Sequence, residues 1–478
     1  MNYTEPTIQV GILTNHTIEF VLNGDFKSSN SRLYSGKQTA AYINGKVFFD
    51  DENAKEIIFE PSDGNASFDL MEVVIGIGFH WERKENQRFK GALKFIIEDQ
   101  KLTAINLISV EDYLTSVISS EMSATASEEL LKAHAVISRS WLLCPIEARG
   151  KRLEVSKTKD KRQKTKEVQE AVNGQIPTTH YRLPTTDYKL PTINYKLQTI
   201  NYINKWYERD AHAHFDVCAD DHCQRYQGIT RAGTKAVETA IEATRGEVLM
   251  YDGLICDARY SKSCGGMTET FENCWAPIHY PYLASAPDKA SETEGLEPDL
   301  TIEANAVNWI LQSPEAFCNT TDKHILSQVL NNYDQETTDF YRWKVEYSQA
   351  ELSELITRKS GIDFGDIIDM IPMKRGESGR MIELEIIGTK QTVIVGKELE
   401  IRKWLSNTHL YSSAFVVEPS EIKDGLPQHF TLTGAGWGHG VGLCQIGAAV
   451  MGEKGYSYKE ILLHYFRGAE LKRIYTNP

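Results

Sequence analysis

The sequence predicts an α+β fold of mixed antiparallel β and helical lobes. Three observations carry this. Short alternating apolar runs fill the first 110 residues, helical periodicity takes over at Glu111, and strand-like and helix-like segments interleave from residue 206 to the end. At roughly 150 residues per domain, 478 residues is about three domains' worth of chain. Hydrophobic residues at 41% and aromatics at 10% are enough for real cores, which excludes a chain disordered throughout.

The N-terminal part, 1–110, reads as antiparallel β. Its runs are Ile8–Ile12, Val47–Phe49, Ile57–Phe59, Phe89–Ile97 and Thr103–Ile108, with Asn23-Gly24, Asn44-Gly45 and Asp63-Gly64 as turns. A helical pair follows at 111–149. Tyr113, Leu114, Val117 and Ile118 form one stripe, and Thr125-Ala-Ser-Glu128 reads as a capping box opening a second helix to about Leu143. Residues 150–205 read as a low-complexity insert, charge-dense and then repetitive. Its tyrosines at 181, 188, 195 and 202 recur every seven residues, but Pro184 and Pro191 exclude a coiled coil, so a disordered loop is expected. Order is expected to resume near Trp206. Segment 206–290 holds a helix over 232–244, strand-like pieces at 248–251 and 254–259, and an acidic linker beginning at Pro287. Segment 291–478 mixes strands (343–347, 381–387, 392–395, 430–433) with helices (349–360, 400–405, 441–452, 457–466).

Charge narrows the partners. Lys and Arg number 52 against 66 Asp and Glu, a net of −14, which gives no electrostatic footprint for duplex nucleic acid or anionic lipid. Apolar stretches such as Val73–Phe79 fall far short of the roughly 18–20 residues that span a bilayer, so no transmembrane segment is expected. Met1–Pro6 has neither a basic nor an apolar leader region, so the sequence as given fits the cytoplasm. Eight cysteines are too few for a disulfide scaffold of this length.

Three constellations could carry chemistry. Glu121 ends the first helix on the line of its apolar stripe. Burial and the negative end of the helix dipole would both raise its pKa, as a general acid at neutral pH requires. An exposed, silent glutamate is the plainer alternative. Lys132 and Arg139, two turns apart on the next helix, could hold a substrate or be ordinary solvated charges. The second constellation packs three imidazoles and two thiols into His212–Cys223. Two thiolates and two imidazoles suit tetrahedral zinc, with one histidine left over, and four protein ligands would make the metal structural. A Cys218–Cys223 disulfide is the competing reading. The third is Gly434–Gly447, which fits neither nucleotide-loop pattern. Its alternating glycines let the backbone approach another surface while presenting Trp437 and His439. A similar element, Ser261–Glu269, follows a strand ending at Tyr260.

Four separated motifs, in order, resemble the family of stage II sporulation protein D and the amidase enhancer LytB. They are Glu111–Met122, Leu131–Trp141, Ser263–Glu269 and Gly436–Gly447, with supporting matches at Ser378-Gly-Arg380, Gly388-Thr389, Ser412–Phe415 and Tyr458 to Tyr465. The resemblance implies a peptidoglycan-acting protein of the cell envelope. It implies a lytic transglycosylase that cleaves the N-acetylmuramic acid–N-acetylglucosamine bond, preferring strands stripped of stem peptides, or else a non-catalytic glycan-binding enhancer of a cell-wall amidase. The family's catalytic glutamate falls on Glu121 and the arginine of its second helix on Arg139. Its zinc cluster falls on Cys218, His222 and Cys223, with His212 preferred to His214 as fourth ligand. Lys132, His134, Tyr260, Lys262, His439 and Gln445 would join Arg139 in positioning the glycan. Ser123, His134 and Cys444 stand where the family usually has Pro, Gln and Ser. Because these candidates run from Glu121 to Gln445, the lobes are expected to pack around one central cleft. A zinc hydrolase at the His/Cys cluster, or a thiol hydrolase using Cys264 or Cys444 with His439, are the remaining enzyme readings.

Overall fold

The computed structural model describes residues 4–76, 82–123, 125–159, 201–207, 212–220, 222–230, 233–290, 297–329 and 337–476, and for 148–159 the backbone alone. The fold is α+β, as the change of period at Glu111 implies. Ten strands between Thr7 and Ser109 join Val217–Cys218 in an 11-stranded sheet. Strand Thr17–Ser28 shows why: Ile18, Phe20, Leu22 and Phe26 point to one buried face, and polar residues alternate with most of them. Each such fully buried side chain contributes about 1.5–3 kcal/mol. Thr7–Asn15 pairs antiparallel with Lys101–Ser109, and its free edge receives Val217–Cys218 in parallel, Val10 opposite Val217 and Gly11 opposite Cys218.

Helix α1, Val110–Glu121, leaves the last strand directly. Ser109 caps it, accepting from the Asp112 N–H at 3.2 Å. Helix α2, Glu128–Lys159, packs against it. The Ser127 hydroxyl accepts from the Leu130 N–H at 3.3 Å, so α2 is capped at Ser127 rather than by the Thr125–Glu128 box. The helix also continues past Leu143 and through Pro145. Apolar periodicity reports where a helix is buried, and good helix formers carry α2 beyond the core.

One core joins the large sheet to α1, α2 and the end of the chain, where Val441, Leu443, Ile446 and Leu462 pack with Val117 and Val136. A second core lies within residues 343–432, around Trp343, Leu352, Leu384, Ile401 and Phe430. It is built on the antiparallel strands Ile367–Arg375, Met381–Gly388 and Thr392–Gly396, and on the sheet Phe415–Ser420, His429–Ala435, Arg342–Ser348.

Two boundaries differ from the sequence reading. Asn201–Asn204, inside the expected insert, adds a parallel strand to Thr392–Gly396, and the Tyr202 hydroxyl donates to Glu383 at 3.1 Å. The repeat tyrosines 181, 188 and 195 lie outside the described residues. The segment opening at Pro287 is not simply a linker, because Asp288 is fully buried. Composition alone could not separate a solvated acidic residue from an enclosed one.

Candidate functional site

Glu121 is the last residue of α1. The stripe it continues is fully buried at Tyr113, Leu114, Val117 and Ile118, whereas Glu121 itself is only half-buried. One carboxylate oxygen accepts the backbone N–H of Arg225 at 3.3 Å. No other hydrogen bond falls on this carboxylate among the described residues.

Arg225 follows the His/Cys segment, which the sheet edge positions. The Asp216 N–H donates to the Gln9 carbonyl at 2.9 Å and the Gln9 N–H returns a bond to the Asp216 carboxylate at 3.0 Å. Phe215 lies flat against Gly11, where a Cβ would come within 2.6 Å of the ring, and its other neighbour is the His212 ring at 4.4 Å. This places donor atoms of His212, Cys218, His222 and Cys223 all within 4.8 Å of one another. Cys223 Sγ is 3.5 Å from both His212 Nε2 and His222 Nδ1, and Cys218 Sγ is 3.8 Å from His222 Nδ1. His214 is exposed on the same loop. Hydrogen bonding from Cys223, then His222, holds the Cys218 thiol well below its ordinary range, the direction a metal ligand needs. The donor set fits zinc, and four protein ligands would close the site. A cavity of about 550 Å³ opens between this loop and the sheet, lined by Thr14, Val73, Gln87, His222 and Arg225 among others.

The glycine-rich segment and the Ser261–Glu269 element meet each other. Strands Tyr260–Ser261 and Leu443–Cys444 pair in parallel, and Ser263 and Trp437 exchange backbone bonds at 3.1 and 2.8 Å. The surface the glycines approach is the fully buried Arg380, which donates to the carbonyls of Cys264 and Gly438. A Cβ at Gly440 (φ +79°) would lie 2.5 Å from its guanidinium.

This junction gathers part of the expected substrate set. His134 is fully buried, its Nε2 is 3.1 Å from Gln445 Nε2, and its ring lies 4.8 Å from Tyr260. The amide nitrogen donates to Nε2, so the imidazole proton sits on Nδ1, facing Ser138 Oγ at 3.2 Å. Burial, then Lys262, push the His134 pKa down to about 3. Lys262 donates to the Val329 carbonyl at 2.7 Å. His439 packs edge-on against Trp275 at 4.6 Å, and its Nδ1 accepts the Val441 N–H at 3.0 Å. Burial, then Arg259, hold it well below the usual histidine range.

Other candidates are committed elsewhere. Arg139 is fully enclosed and forks onto Glu111 at 3.0 and 2.6 Å, with its third nitrogen on the Glu247 carbonyl. In this structure its guanidinium is committed to that buried ion pair. Lys132 pairs with Glu128 and Glu129 at 2.7 and 2.9 Å. These contacts fall into separate groups, and the single central cleft expected from the sequence is not among the features seen. Cys264 and Cys444 are sealed from solvent, which removes the access a thiol nucleophile needs.

Sequence reading missed two carboxylates. Glu111 accepts from Arg139, from Tyr475 Oη at 2.7 Å and from the Gly246 N–H at 3.1 Å, partners scattered over the whole chain with no local signature. Glu269 is buried beside Ser378 (2.6 Å) and Asn273 (2.8 Å), and burial raises its pKa to about 7. Its position in a quoted motif was the available signal.

Comparison with known proteins follows the same lines. A family model described as stage II sporulation protein matches residues 98–182 and 193–251, and one described as a domain of unknown function (DUF8618) matches 269–442. The chain is 25% identical over 276 residues to the amidase enhancer of Bacillus subtilis, covering 52% of this chain and 36% of that protein. It therefore spans about a third of that relative's length. It is 22% identical over 368 residues to stage II sporulation protein D of Bacillus amyloliquefaciens, covering 77% and 75%. An uncharacterized protein of Brachyspira hyodysenteriae is 24% identical over 383 residues, covering 80% and 72%.

Proposed function

From its similarity to stage II sporulation protein D and the amidase enhancer, we propose that the chain cleaves the glycan strands of peptidoglycan as a lytic transglycosylase, with Glu121 as the catalytic residue. The placement of Glu121 carries the reading. It is half-buried at a helix end, held by one backbone N–H, and otherwise uncommitted. Ordinary glycoside hydrolysis uses two carboxyl groups flanking the bond. Here one suffices, because the sugar supplies the nucleophile. Protonated Glu121 gives its proton to the glycosidic oxygen as the C1–O bond breaks. The resulting carboxylate takes the proton of the muramoyl C6 hydroxyl as that oxygen bonds to C1, leaving a 1,6-anhydro end and returning Glu121 to its acid form. Tyr260, Lys262 and His439, which are only partly buried, would position the strand. Zinc at His212, Cys218, His222 and Cys223 would act structurally, pinning the loop whose Arg225 N–H holds Glu121.

Peptide-stripped glycan incubated with the purified chain should yield 1,6-anhydro-muramoyl ends by mass spectrometry, and Glu121→Gln should abolish them. Wild-type protein that releases none, or a mutant that releases as much, overturns the reading. The name of the Bacillus subtilis relative supports a second reading, a glycan-binding enhancer of a cell-wall amidase. In that case wild type and Glu121→Gln would stimulate an added amidase equally while releasing no anhydro ends.

A further inference from the structure

Six of the eight cysteines lie outside the His/Cys loop, and three of them meet in the interior. We propose that Cys264, Cys318, Cys444 and Asp288 form a second metal site, binding a zinc-like divalent cation. Their donor atoms all lie within 4.8 Å of one another, and each residue is at most 2% exposed. Cys264 Sγ and Cys318 Sγ stand 3.7 Å apart. A tetrahedron with Zn–S bonds of about 2.3 Å has S–S edges of about 3.8 Å, whereas a disulfide brings sulfurs to about 2.05 Å.

The surroundings orient these groups as ligands. The Cys264 N–H donates to Cys444 Sγ at 3.2 Å. Asp288 accepts from Tyr465 Oη at 2.6 Å on one oxygen and from the Cys318 N–H at 2.9 Å on the other. Such outer bonds fix a ligand while leaving lone pairs free for a cation. A Cβ at Gly447 would come within 2.5 Å of the Asp288 carboxylate, so glycine there makes room for it. Among the described residues no lysine, arginine or histidine forms an ion pair with Asp288. As ligands these groups would be a carboxylate and thiolates sealed from water, and a divalent cation at their common centre would supply the counter-charge that such a state needs.

Four protein ligands leave no open position, so the ion would be structural. It would tie together four separate segments: the turn after Tyr260–Ser261, the stretches at 288 and 318, and the strand Leu443–Cys444, whose next residue is Gln445 beside His134. The inference does not depend on what Glu121 does.

The test is metal content. Full-length protein produced with zinc should carry about two zinc ions per chain, and Cys218→Ser/Cys223→Ser, which removes the loop site, should keep about one. Cobalt exchanged into that variant during refolding should show thiolate charge-transfer absorption, and adding Cys318→Ser should abolish it. A folded loop variant without metal, or a Cys264–Cys318 disulfide in the native intact mass, overturns the site. If the loop variant does not fold, X-ray absorption at the zinc edge of wild type decides. More than two sulfur neighbours per zinc supports the site, and two or fewer overturns it.

Discussion

Helix α1 carries two glutamates ten residues apart with opposite environments. Glu111, in the first turn, is sealed and saturated by Arg139, Tyr475 and the Gly246 N–H. Glu121, at the last residue, is half-buried and holds one N–H. A buried carboxylate that accepts four hydrogen bonds stabilises a junction and can do little else. A charge with little engaged can exchange a proton. The helix thus separates a sealed, ion-paired glutamate from a half-buried one with a single backbone contact, although the sequence motif containing both gives no ranking between them.

The largest effects should come from breaking each half of this contrast. Glu121→Gln should lower the rate of anhydro-end formation by roughly 10²–10⁴, the span of a lost general acid, while stability stays within about 0.5 kcal/mol by chemical denaturation. Arg139→Ala should do the reverse in kind. Leaving Glu111 buried without its cation should cost about 3–5 kcal/mol of folding stability. If Arg139→Ala instead folds like wild type and only weakens glycan binding, the arginine faces the substrate after all.

A smaller effect is pH-dependent. His134 stays neutral in the folded chain, its pKa pushed by burial to about 3, while the unfolded chain takes up a proton near pH 6.5. Below that value the unfolded state binds more protons, so stability should fall by about 1.4 kcal/mol per pH unit until about pH 3. His134→Gln should flatten that slope in denaturation curves taken from pH 6.5 downward. The smallest effect belongs to the cap of α2. Ser127→Ala should cost about 1 kcal/mol and Thr125→Ala much less, because Ser127 accepts the Leu130 N–H.

The two cysteine clusters show where legibility ended. His212–Cys223 announced itself because its donors sit within twelve residues on one loop, and proximity in sequence makes proximity in space nearly unavoidable. Cys264, Asp288, Cys318 and Cys444 span 180 residues, and although Cys264 and Cys444 sit in separate motifs, nothing in the sequence brings the four together until the chain folds. The same distinction governs the elements. Helix Gln349–Ser360 has the bounds read from the sequence, because the signal is local, and Ser348 and Glu351 close a capping box at its start. Strand Asn201–Asn204 was hidden in a repeat because only its partner, Thr392–Gly396, makes it a strand.

The sequence by itself determined the α+β class, the switch from strand to helix at Glu111, the glutamate at the end of α1 and the resemblance to stage II sporulation protein D. Each follows from period, cap or motif, which act over a few residues. Tertiary structure alone decided that Arg139 serves Glu111, that the glycine-rich segment wraps Arg380, and that three scattered cysteines surround Asp288. These outcomes depend on which surfaces meet and exclude water, and no single stretch of sequence holds that information.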